Sequence, residues 1–287
     1  MVEKIGAREI RDSDIDAVLD LLKRGFASRP RAFWLEFLTR LPWCTAATQM
    51  PKYGYLLECD GRVVGVILLI SSRVQTESGS ATRSNVSSWY VEPAFRAYAN
   101  LLVAKAVGHK DVTYLNVTAA PHTRPMLKAQ GYAQYSKGVF LCAPALRFSR
   151  RDGAAKLFAV QPPDPAAVDP HEQRLLEQHA EYGCLSLWCV TPERAYPFVF
   201  RPRMVRGLIP CAQLIYCADI ADFARFAGPI GRWLAARGRP FVIVDSNGAI
   251  PGLIGKYFDG VMPRYFKGPS RPRLGDLAYT ETATFGV

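Results

Sequence analysis

Histidine is scarce in this chain, with four residues among 287, and none stands at metal-ligand spacing from another ligand. The seven cysteines include no Cys-x-x-Cys pair, which removes zinc-ribbon and dithiol chemistry. An odd, scattered set also argues against a disulfide framework, so reduced, buried thiols in a cytoplasmic protein are expected. Cys184 and Cys189 point to opposite faces of one strand, and no histidine stands at a telling distance to activate either as a nucleophile. Long apolar runs are missing: Val63 to Ile70 is among the longest, far short of the roughly 20 residues that cross a bilayer. The opening MVEKIGAREIRD is charged from the start, so export is not expected. The glycines and lysine of Gly248 to Lys256 lack P-loop spacing, and no aromatic RNA-reading stretch occurs.

What is present is a globular composition, 49% hydrophobic, in a chain long enough for two domains. Ile5 to Ile10 reads as a strand, Asp12-Ser13-Asp14 supplies capping oxygens, and Ile15, Val18, Leu19, Leu22 and Phe26 follow at helical spacing. Pro30 opens a second helix with Phe33, Trp34, Phe37, Leu38 and Leu41 on one side. Tyr53 to Glu58 and Val63 to Ser71 form a hairpin about Asp60-Gly61, followed by a polar loop over Gln75 to Arg83. The Pro- and Ala-rich stretch from Arg150 to Pro170 reads as a linker, dividing the chain into 1–150 and 151–287. Beyond it a helix spans His171 to Tyr182. Strands are expected at Leu185 to Val190, Tyr196 to Phe200, Met204 to Ile209, Gln213 to Cys217 and Phe241 to Asp245. A helix from Asp219 to Arg237 is expected to break at Gly228-Pro229, with a helical piece over Ile250 to Phe258 and a β-rich tail at Tyr279 to Phe285.

The centre of the chain is Asn85 to Tyr132. A β-rich run, Val86 to Val91, passes through Glu92-Pro93 into a helix from Arg96 to Gly108. A second run, Val112 to Thr118, leads to a short helix ending at Gly131-Tyr132, and Gln134 to Leu141 adds another strand. This crossover sets a helix N-terminus beside a strand end, where unpaired N–H groups can hold an anion. With Val91-x-Pro93, Phe95-Arg96 at the helix mouth and the late Gly131-Tyr132 pair, the stretch resembles the cofactor half of the GNAT superfamily of acyl-CoA N-acyltransferases. The Asp60-Gly61 hairpin and Gly65 match that family's second and third strands. The expected fold class is α/β (α+β by some schemes). It comprises two tandem GNAT-like domains, each a mixed, mostly antiparallel sheet flanked by helices, the second of them degenerate. The sequence departs from the family twice. Ala99 and Leu101 stand where its loop carries glycines or small residues, and Leu127 stands where its acid tyrosine falls.

The resemblance implies acetyl-CoA or another acyl-CoA as substrate, with no metal. Its diphosphate and pantetheine contacts fall on Val91, Phe95, Arg96, Ala97, Tyr98, Ala99, Asn100 and Asn116. Glu92 is the candidate base, Tyr90 and Tyr98 are candidate replacements for the acid, and His122 is a neutral-pH proton acceptor. The implied partners are an acyl-CoA and an unidentified acceptor, without a membrane. The net charge of +11 suits an anionic ligand, and tandem GNAT-like domains also occur in Fem-type transferases that use aminoacyl-tRNA. A catalytically silent acyl-CoA-binding module is the third reading.

Overall fold

The computed structural model describes residues 4–45, 47–76, 79–147 and 155–286, without the side chains of Trp43 and Cys44. The chain divides into two compact units, residues 1–116 with 266–271, and residues 117–265 with 272–287. The sequence boundary at 150/151 falls within 148–154, outside the described residues. The strand before it belongs to the second unit through its pairing there.

In the first unit, β1 (Ile5–Glu9) leads through a 3-10 turn to α1 (Ile15–Gly25) and α2 (Arg31–Thr45). The periodic face of α1 buries Val18, Leu19 and Leu22 as the sequence predicts, together with Leu21. Asp14 supplies one expected capping oxygen, accepting from Arg11 N–H at 2.8 Å, while Asp12 is used elsewhere. Asp12 accepts from Lys52 Nζ and Tyr53 OH, both at 2.7 Å, while Asp14 binds Arg8. The hairpin forms as β2 (Gly54–Cys59) and β3 (Arg62–Thr76), with Asp60 and Gly61 both at positive φ in its turn. β3 pairs with β4 (Gly79–Val91) over nearly its full length, so most of the expected polar loop is strand; residues 77–78 lie outside the described set. The polar residues there are held by backbone pairing, Val74 with Ala81 and Gln75 with Ser80, which continues the ladder outward from Ser71 and Ser84, bonded to each other at 3.0 Å in the core. A 3-10 turn at Pro93–Tyr98 passes into α3 (Ala99–Ala106), and β5 (Val112–Asn116) returns parallel to β4. The sheet order is β1-β2-β3-β4-β5, antiparallel until the last pair.

The second unit contains α4 (Arg124–Ala129), β6 (Ala133–Cys142), β7 (Lys156–Ala159), α5 (Pro170–Glu181), β8 (Leu185–Val190), β9 (Ala195–Val205), β10 (Ile209–Cys217), α6 (Ile220–Ala235) and β11 (Phe241–Ser246). β12 (Gly255–Lys267) begins in it, and α7 (Glu281–Phe285) closes it. The sheet order is β12-β6-β11-β10-β9-β8-β7, with β10 and β11 parallel. Phe198, Phe200, Phe223, Phe226 and Ile230 fill its core.

Four expectations fail here for tertiary reasons. β7, inside the supposed linker, is drawn into the sheet by pairing with β8. The helix α6 runs unbroken through Gly228 and Pro229. Its Gly231 lets the helix lie directly on the backbone of Pro144 and Ala145, where a Cβ would overlap, so close packing outweighs the proline. The 250–258 stretch is partly strand because β6 supplies a partner: the Gly255 Cα abuts Cys142, and Ala143 N–H donates to Ile254 O at 3.0 Å. The expected β tail is the helix α7, whose first turn is closed by Thr284 N–H on Thr280 O at 3.0 Å, and whose end is Gly286 in the left-handed region.

Candidate active site

The first unit opens where β4 and β5 part. Their ladder covers only Thr82–Asn85 against Val112–Leu115, yet β4 continues to Val91. A bulge bends β4 at this point. Val66 and Leu68 of β3 face Tyr90 and Ser87, and Ser88 takes a φ of 46° to absorb the extra residue. The result is a wedge with the end of β4 on one side, the end of β5 on the other and α3 beyond. At its apex lies Asn85, opposite Ile70 and Leu115 and 1% exposed. Among the described residues neither its amide oxygen nor its amide nitrogen has a hydrogen-bond partner. A buried amide left unbonded costs about 1–3 kcal/mol, and both amide atoms here are open to a ligand contact. Asn85 was absent from the residues expected to matter. Its signal was a lone amide in an otherwise β-forming run.

Val91, at the tip of β4, is buried against Gly65, where a larger residue would press on Leu57 and Val91. Glu92 follows, and its backbone N–H is held by Val64 O at 2.9 Å. Its two carboxylate oxygens are each engaged by a guanidinium, Arg24 at 3.0 Å and Arg62 at 3.1 Å. Arg62 also stacks 5.3 Å over the Phe95 ring. Glu92 thus ties α1, β3 and the wedge rim together. Tyr90 packs its ring against Gly25 and lies 6.3 Å from Phe26, which adjoins Trp34.

The helix mouth departs from a phosphate cradle. Residues Pro93–Tyr98 form a 3-10 turn, in which N–H groups point back to carbonyls three residues earlier. Phe95 N–H is taken by Glu92 O at 2.9 Å and Ala99 N–H by Arg96 O. The Arg96, Ala97 and Asn100 side chains are exposed, Ala99 is half-buried, and Tyr98 and Leu101 are 44% and 45% exposed. Leu101 therefore turns outward instead of filling the core. Asn116 ends β5, half-buried. His122 sits exposed on a 3-10 turn, Pro121–Thr123, of the second unit. Leu127 is buried there as an ordinary core residue of α4.

Other groups can be set aside on physical grounds. Burial pushes the thiols of Cys142 and Cys184 up to about 12 and about 11, so neither supplies a thiolate near neutrality. Among the described residues no cluster of three metal-ligating side chains occurs, and no helix is long and apolar enough to cross a membrane. Four of the chain's arginines are turned to internal work. Arg201 donates to Tyr182 O, Arg203 to Gln213 Oε1 at 2.9 Å, Arg264 to Asp245 and Arg273 to Cys217 O.

No protein-family model matches the chain by sequence, and no curated protein does. Solved structures do resemble it. A conserved protein of Enterococcus faecalis V583, described as a probable N-acyltransferase, aligns over 96% of this chain and 74% of its own at 13% identity, with a TM-score of 0.58. A GCN5-related N-acetyltransferase from Anabaena variabilis ATCC 29413 aligns over 92% and 72% at 10% identity, TM-score 0.59. Eis1 from Mycobacterium abscessus aligns over 96% and 74% at 13% identity, TM-score 0.54. At such identities the likeness is one of architecture. The chain has the fold of the GCN5-related N-acetyltransferases, the GNAT fold, with a mixed, mostly antiparallel sheet flanked by helices.

Proposed function

We propose that this protein is an acyltransferase that moves an acyl group, in the first instance acetyl, from coenzyme A to an amine or hydroxyl acceptor. The observation that carries the reading is the wedge of the first unit: a bulged β4 that outruns its ladder with β5, with the unbonded amide of Asn85 at the apex. An extended, amide-bearing pantetheine arm matches such a strand end, because backbone groups beyond a ladder accept an added strand. Since the turn amides are used locally, the diphosphate grip passes to a side chain, and Arg96 at the helix mouth is the residue assigned to it.

In the reaction the acceptor nitrogen or oxygen attacks the thioester carbonyl. The new bond forms as the carbon–sulfur bond breaks, one proton leaves the acceptor, and another reaches the coenzyme A thiolate. Holding both reactants in one cleft supplies much of the acceleration. Glu92, with both oxygens engaged by arginines, serves to position the rim. Tyr90 and Tyr98, in the first unit, remain the proton-transfer candidates there. One observation favours a silent acyl-CoA-binding module instead: Leu127, in the family's acid position, is buried and cannot give a proton.

Calorimetric titration with acetyl-CoA, alongside Arg96→Ala, tests the donor site. Binding in the native chain that weakens at least about tenfold in the variant is expected from loss of a charged phosphate contact. Failure of acetyl-CoA and of longer acyl-CoAs to bind would overturn the reading. Binding without turnover across an amine and alcohol panel would favour the silent module.

A further inference from the structure

The second unit repeats the wedge-bearing element order of the first. β9 and β10 pair antiparallel, with a bulge between Leu214 and Tyr216, and α6 connects β10 to its parallel partner β11. This ladder too is short: only Cys211–Gln213 face Phe241–Ile243, while β10 runs on to Cys217. Here the freed edge is taken by the chain itself. Tyr216 forms an antiparallel bridge with Asp276. Cys217 N–H donates to Gly275 O at 2.9 Å, and Leu277 N–H donates to Ile215 O at 2.7 Å. Arg273 secures the segment by donating to Cys217 O, stacking 4.9 Å over the Tyr216 ring and lying 3.8 Å from Asp276. Gly275 is required for the fit. Its φ is 76°, and a Cβ would stand 2.7 Å from Cys217 Sγ and 2.9 Å from Ile220 Cδ1.

We propose that Arg273–Leu277 is a built-in strap that fills the wedge of the second unit, so that each chain takes one acyl donor, in the first unit. The single-donor part rests on the acyltransferase reading; the strap does not. The strap uses the same kind of strand-edge groups that an incoming amide-bearing arm would need, and an intrachain segment competes at a high effective concentration. A second feature acts in the same direction. Asp219 caps α6 by accepting from Ala221 N–H at 2.9 Å, and Asp222 lies in its first turn, so two carboxylates stand where a diphosphate would have to bind. The second unit thus keeps the architecture of a donor site and closes it from within.

Hydrogen exchange on the full chain, with and without acetyl-CoA, reads the strap directly. The amides of Cys217 and Leu277 are expected to be protected and indifferent to acetyl-CoA, and Gly275→Ala to lose that protection. Arg273→Ala, a milder change at a partly exposed side chain, is expected to speed the same amides if the glycine variant fails to fold. Calorimetry on the same samples is expected to give one acetyl-CoA per native chain, abolished or weakened by Arg96→Ala. Unprotected Cys217 and Leu277 amides, or two donors per native chain, would overturn the proposal. No donor binding with protected strap amides would overturn the acyltransferase reading while supporting the strap.

Discussion

Arg264 donates from Nε to Asp245 Oδ2 at 2.8 Å, with both side chains almost wholly buried in the second unit. Nη2 reaches the other carboxylate oxygen at 3.1 Å, and Nη1 donates to Val117 O. Burial works against the arginine's charge, but the Asp245 carboxylate outweighs it and holds the guanidinium firmly charged. Asp245→Ala leaves that charge without its counter-ion. The expected loss is about 3–5 kcal/mol of stability, read as a lower urea midpoint. A paired replacement, Asp245→Leu with Arg264→Met, is expected to recover most of it; no recovery would mean that the pair has a role beyond charge compensation.

Gly25→Ala tests the support beneath the wedge. An added Cβ would overlap the ring of Tyr90, a residue of β4 beside its bulge. Alanine gains up to about 1 kcal/mol in helix propensity, but overpacking costs about 1–3 kcal/mol. A net drop in melting temperature is expected. A rise would show that Tyr90 moves aside freely.

The Arg8 side-chain hydrogen bond holds Asp14 below the usual carboxylate range. A depressed folded-state value adds stability above the unfolded value of about 4, and that stability is lost as pH falls through the folded value. Arg8 is partly exposed, so screening limits the contribution to about 1 kcal/mol. Asp14→Asn should therefore lower stability at pH 7 and lower it less near pH 2. An equal loss at both pH values would place the effect outside this ion pair.

Glu172 behaves in the opposite sense. Burial raises its carboxyl, despite the hydrogen bond with Tyr216 OH at 3.2 Å. A raised carboxyl burdens the fold above its folded value, and the burden is relieved as pH falls and the group takes up a proton. Glu172→Gln keeps a partner for the tyrosine without the charge. Its melting temperature should exceed that of the native chain at pH 7, and the difference should vanish near pH 4 or below. A lower melting temperature at pH 7 would mean that the charged form is needed, with Arg273 the nearby cation that favours it.

Much of the first unit was legible from local pattern. The spacing of Val18, Leu19 and Leu22 predicts α1, Asp60-Gly61 predicts the β2–β3 turn, and Val91-x-Pro93 marks the passage from β4 toward α3. These signals are local because a helix face, a two-residue turn and a proline each act over a few residues. The candidate site was only partly legible. Arg96 and Tyr98 lie in the 3-10 turn before α3, which begins at Ala99 and not near Arg96, and whether turn amides remain available depends on a geometry that composition does not reveal.

The sequence by itself determined the order of strands and helices from Ile5 to Leu141, the run that resembles a GNAT donor loop, and the missing glycines within that loop. Tertiary structure alone decided the rest. It made Ile250–Phe258 partly strand by supplying β6, let α6 pass through Pro229 by packing Gly231 on Ala145, and left Asn85 unbonded at the β4–β5 apex. It also drew Gly275–Leu277 onto β10, some sixty residues away in the chain. Each is a contact between distant segments, and its free energy depends on which backbone groups and surfaces another part of the fold leaves to be satisfied.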